Sequence, residues 1–138
     1  MRVRGDQHAH RLVAVLRAPA LREAEEEIGV AASLVSPLGY LDPMVTITGF
    51  RVLPVVARVD PGFIARPDPN EVADVFEVDL AFLLHPDSLE QIAMEYRGRT
   101  RHVMQYRQAP HAPPHRIWGA TAMILYNLRE RLAQSGAP

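Results

Sequence analysis

Apolar positions along the chain change period from helix to strand and back. In residues 18–29 (APALREAEEEIG), Leu21, Ala24 and Ile28 recur at helical spacing, with Pro19 near the first turn and Gly29 just past the last. That pattern predicts a helix, because proline fits a helix start and glycine a helix stop. Runs rich in Val, Leu or Phe then follow at Ser33 to Leu41, Thr48 to Val59 and Val72 to Leu80, separated by Pro, Gly and Asp, and these predict strands. Pro54 cannot donate to a ladder, so the second run is expected to break or to lie at an edge. Residues 60–71 (DPGFIARPDPNE) predict a surface loop. Pro86 to Glu95 reads as a short helix or turn, Thr100 to Arg107 as a strand, and APHAPPH as a connector. From Trp118 to Leu132, residues Ala122, Leu125, Leu128 and Leu132 share one face, predicting a packed C-terminal helix.

Strands interleaved with two helices predict α/β or α+β layers. With 138 residues and no internal repeat, one domain spanning 1–138 is expected. The 15 basic residues, all Arg, nearly balance 16 acidic ones, giving a net charge of −1. No bulk positive field is present to drive phosphate-backbone binding, so no nucleic-acid partner is expected. The chain has no cysteine, which removes disulfides, thiolate metal sites and thiol nucleophiles. No run approaches the roughly 18 apolar residues of a membrane span. No membrane partner and a cytoplasmic location are therefore expected.

The segment Arg22-Glu23-Ala24-Glu25-Glu26-Glu27-Ile28-Gly29-Val30 is the most distinctive in the chain. At helical pitch Glu23, Glu26 and Glu27 fall on one face, opposite Leu21, Ala24 and Ile28. Like charges three and four apart repel, and anions in the last turn oppose the helix dipole. A bound cation reverses both penalties. Carboxylates offering only oxygen suit Mg²⁺ or Mn²⁺, which complete their shells with water and substrate phosphates. A solvated acidic helix face is the plainer explanation for such a run.

REAEEEIGV also resembles the second half of the Nudix box, Arg-Glu-apolar-any-Glu-Glu-any-Gly-apolar, at every position. The resemblance implies an α/β/α sandwich with a mixed sheet, and metal-dependent cleavage of a diphosphate. On it, Glu23, Glu26 and Glu27 would hold Mg²⁺ or Mn²⁺, a box glutamate would act as general base, and Arg22 would orient a box carboxylate. TGFRVLPVVARV, RPDPNEVADVFEVDLAFLL and IWGATAMILYNLRERL look like successive segments of the coenzyme A pyrophosphatase branch. The likeness covers residues 20–132 and implies coenzyme A, or a related nucleoside diphosphate derivative, as substrate.

The complete box has a glycine fourteen positions before the arginine and a glutamate eight before it, where this chain has His8 and Ala14. Family members also place several strands ahead of the box, whereas 21 residues precede Arg22 and residues 1–19 are atypical. The N-terminal strands are therefore expected to be missing or altered, which would leave sheet edges open to self-association as a homodimer. Two other readings remain open: a Nudix hydrolase of ADP-ribose or NADH type substrates, and a non-catalytic fragment that binds a nucleotide or partner.

Other residues admit weaker readings. Glu71, ending the long loop, could assist metal or water, and Arg51 and Arg66 could meet a diphosphate. Glu77 alternates with Phe76 and Val78 and is expected to face outward. His102, His111 and His115 lack ligand spacing and read as loop residues. Trp118, Phe50, Phe63, Phe76 and Phe82 read as packing residues.

Overall fold

In the computed structural model, which describes residues 2–4, 11–14, 25–27, 29–70, 75–108 and 115–136, Pro54 splits the run Thr48 to Val59 as its missing N–H requires. β5 (Arg51–Val52) ends before it and β6 (Val55–Val59) begins after it. The chain divides into two compact units, Met1–Val78 and Asp79–Pro138. Helix and strand are mixed, as the sequence pattern predicts.

In the first unit β1 (Arg2–Arg4) and β2 (Arg11–Ala14) are followed by α1 at residues 25–27, β3 (Val35–Tyr40), β4 (Met44–Val45), β5, β6 and β7 (Glu77–Asp79), whose last residue begins the second unit. Among the described residues the main sheet runs in the order β3-β6-β2-β1-β7, and β4 and β5 form a separate ribbon. The atypical N-terminal segment thus contributes two strands. β2 lies antiparallel to β6, and Ala14, where the full box has a glutamate, pairs with Val56. β3 holds Pro37 at a sheet edge, where a missing donor is tolerated, and its register with β6 shifts between Pro37 and Gly39.

Val30, Val59 and Phe63 form a buried cluster, with Leu34, Val35 and Ala65 packed on it. Phe63 therefore anchors the 60–70 loop to the core, and the rest of that loop lies mostly exposed. Phe50 is 57% exposed rather than packed, because it follows the tight 46–49 turn at the ribbon's tip, where Gly49 N–H donates to Thr46 C=O. Glu77 is half-buried rather than outward, and Phe76 beside it is half-buried too.

The second unit contains α2 (Leu80–Leu84), a 3-10 turn at Pro86–Ser88, the hairpin of β8 (Leu89–Tyr96) and β9 (Arg99–Tyr106), and α3 (Gly119–Gln134). Leu80 opens a helix instead of closing a strand. Leu89 to Glu95 is strand rather than helix or turn, since Ile92, Met94 and Tyr96 alternate as half-buried positions. The hairpin closes through Arg97 and Gly98, both at positive φ, the conformation a two-residue turn needs to match strand twist. His102 accordingly sits on β9 rather than in a loop, and is exposed. His115 is half-buried, and His111 lies outside the described residues.

α3 buries Ala122, Ile124, Leu125 and Leu128, while Leu132, in its last turn, is half-buried. Tyr106 ties the unit together. Its hydroxyl donates to the Leu83 carbonyl at 3.1 Å, its N–H donates to the Ile117 carbonyl at 2.8 Å, and its ring centre lies 6.3 Å from that of Phe82. Burial pushes its phenol up to about 12, with the Arg129 guanidinium pulling the other way.

Leu125→Ala should cost ~3 kcal/mol in urea unfolding by loss of buried methyl groups, whereas Met123→Ala, at a site 41% exposed, should stay within ~0.5 kcal/mol. A raised phenol pKa means the unfolded chain releases this proton first as pH rises. The stability Tyr106 contributes is then complete below pH ~10 and falls between pH ~10 and the folded value of about 12. Tyr106→Phe should flatten that alkaline limb of a stability profile.

Candidate functional site

The acidic helix is described at residues 25–27, where Glu25 and Glu26 are exposed and Glu27 is half-buried. Arg22, Glu23 and Glu71 lie outside the described residues. Gly29 ends the helix at φ +70°, the left-handed conformation that a side chain resists, and its N–H donates to the Glu25 carbonyl at 3.0 Å. A Cβ at Gly29 would also sit 3.3 Å from Arg66 Cβ and 3.5 Å from the Arg66 carbonyl oxygen. Glycine is thus required both for the backbone conformation and for the close approach of the 60–70 loop.

That loop is built to make the approach. Asp60 Oδ1 accepts the Gly62 N–H at 2.7 Å, and Phe63 N–H donates to the Asp60 carbonyl at 3.0 Å, turning the chain so that Phe63 enters the core. Farther on, Asp68 Oδ1 accepts both the Asn70 N–H at 2.8 Å and the Asn70 side-chain amide at 3.0 Å. Between these turns the Asp68 N–H donates to the Glu27 carbonyl at 2.8 Å. A helix-end carbonyl that would otherwise lack a partner is satisfied by the loop. Loop and acidic helix are therefore clasped by a backbone hydrogen bond immediately behind Glu27.

The structure thus brings Arg66 to the helix end. Arg51 stands exposed on the β4–β5 ribbon, opposite Val45. Asp68, which the sequence reading passed over, is the loop residue that touches the helix; its signal was the Asp-Pro-Asn turn. Among the described residues no three His, Asp or Glu side chains gather as a metal site. The expected set needs Glu23, one turn before Glu26.

Comparison with known proteins points to the same family. A relative from Photorhabdus laumondii named "Uncharacterized Nudix hydrolase NudL" is 36% identical over 115 residues, which is 83% of this chain and 59% of the relative. Proteins of the same name from Escherichia coli strain K12 / DH10B and from Shigella boydii are each 37% identical over 113 residues, 80% of this chain and 56% of theirs. The likeness to proteins named Nudix hydrolases, over about four fifths of this chain, supports a Nudix family member. No family model matches it. The chain spans between half and two thirds of the length of these relatives. Among its described residues no helix is long and apolar enough to cross a membrane.

The clasp makes a direct prediction. Gly29→Ala should lower stability by ~1–2 kcal/mol in urea unfolding, through the positive φ and the crowding against Arg66. An unchanged unfolding midpoint would contradict the close approach.

Proposed function

We infer that this chain hydrolyses the diphosphate of coenzyme A or a related nucleoside diphosphate derivative. The observation that supports it most is the clasped acidic turn, which holds Glu26 and Glu27 on a helix end fixed by the 60–70 loop. Glu26 and Glu27 offer oxygen donors alone from one helical turn, and with Glu23 the set suits a hard divalent cation, Mg²⁺ or Mn²⁺. Bound there, that cation supplies charge neutralisation on the phosphoryl oxygens and a more acidic water.

The chain's own residues do the rest. Glu26 or Glu27 acts as general base and takes the proton of the attacking water. The new P–O bond forms as the bond to the bridging oxygen breaks, and the leaving phosphate departs with that oxygen. Arg22 orients a box carboxylate, while Arg66, beside the helix end, and more remotely Arg51 supply charge-assisted contacts to the diphosphate. Glu71, next to the Asp68–Asn70 turn, assists the metal or the water. A cytoplasmic setting and a homodimer joined through sheet edges complete this reading.

Glu26→Gln and Glu27→Gln should each lower the rate of coenzyme A hydrolysis by ~100-fold or more with Mg²⁺ or Mn²⁺ present, leaving the circular dichroism spectrum unchanged. Excess EDTA should abolish turnover in the parent. Coenzyme A, ADP-ribose and NADH compared side by side identify the substrate. A folded parent without turnover on any of them would overturn the hydrolase reading in favour of a binding fragment, to which His8 and Ala14 in the first half of the box also point.

A further inference from the structure

Trp118 is the chain's single tryptophan, and it stands 41% exposed at the entrance to α3 rather than packed as a core anchor. Its backbone is nonetheless fixed. Gln105 on β9 forms a β-bridge with Trp118, and the preceding residue, Ile117, is buried and accepts the Tyr106 N–H. The ring is therefore displayed by a firmly held strand position.

Arg116 lies over it. The guanidinium carbon is 4.4 Å from the ring centre, and Arg116 Nε donates to Gln105 Oε1 at 2.6 Å, which holds the cation in place. Gln105 in turn donates to Glu90 Oε1 at 3.2 Å, and Glu90 Oε2 pairs with Arg107 at 3.2 Å. The carboxylate in this network is taken by Arg107. Among the described residues Arg116 makes no ion pair.

An indole that carries a fixed guanidinium on one face and still exposes much of its surface is a stacking platform with a cation at its side. Aromatic rings stack nucleobases irrespective of their hydrogen-bonding edges, and a guanidinium recognises phosphate through charge-assisted bonds. A protein-docking face is disfavoured. Among the described residues of Asp79–Pro138 the large hydrophobics that stand exposed are Trp118 and Met123, whereas an interface core needs a wider apolar patch.

We propose that Trp118 and Arg116 form a binding shelf for a nucleotide, with the base stacked on the indole and a phosphate on the guanidinium. The shelf goes beyond the diphosphate hydrolysis inferred above and concerns binding alone.

The full chain should be titrated with adenosine 3′,5′-bisphosphate in EDTA while the fluorescence of Trp118 is followed. Saturable quenching is expected, with ribose 5-phosphate, which lacks a base, giving none. Arg116→Gln should weaken the quenching affinity about tenfold. By calorimetry Trp118→Ala should bind about tenfold more weakly and Trp118→Phe within about threefold of the parent, both with unchanged circular dichroism. Absence of quenching, equal quenching by ribose 5-phosphate, or undiminished binding by Trp118→Ala would overturn the shelf. Turnover of coenzyme A without quenching would remove the shelf and leave the hydrolase standing, and quenching without turnover would do the reverse.

Discussion

The hydrogen bond from the Asp68 N–H to the Glu27 carbonyl, beside the left-handed turn at Gly29, is the contact that ties the acidic helix end to the 60–70 loop. An acidic helix of this kind opposes itself twice, through like charges and through its own dipole. What keeps its last turn in place is attached from outside. Val30 follows the turn into the same buried cluster as Phe63, and Phe63 begins the loop that returns to Glu27. Core packing, glycine conformation and a backbone hydrogen bond thus converge within a few residues of the candidate carboxylates.

The second unit depends on a different device. Tyr106, on β9, directs its hydroxyl and its ring to Leu83 and Phe82 of α2 and its backbone N–H to the segment before α3, so one buried residue joins β9 to both. Fixing Ile117 in this way also fixes its neighbour Trp118 in an exposed position. The same local order that stabilises the unit therefore displays its most conspicuous aromatic ring.

The sequence made some of this legible and hid the rest for physical reasons. Gly29 as a helix stop, Pro54 as a strand break and the buried positions of α3 each follow from the properties of one residue or one period. The strand at Leu89–Tyr96 was obscured because a proline and an aspartate open the segment and its apolar positions are only half-buried. Trp118 and Phe50 were misread as core because size and hydrophobicity do not reveal which side of a turn a ring occupies. The carboxylate triad was legible as a motif, yet the Asp68 clasp was not, because a backbone donor leaves no mark in side-chain chemistry. The two N-terminal strands were missed since residues 1–19 offer only brief apolar runs, and their pairing partner, β6, lies about forty residues on in the chain.

The central claim is that the clasped helix end is a divalent-cation site whose Glu27 is a ligand. Isothermal titration of Mn²⁺ into the full chain and into Glu27→Gln tests it without any substrate. Binding by the parent that weakens about tenfold or more in Glu27→Gln is the expected result. Equal Mn²⁺ affinity in the two, or none in a folded parent, would contradict it.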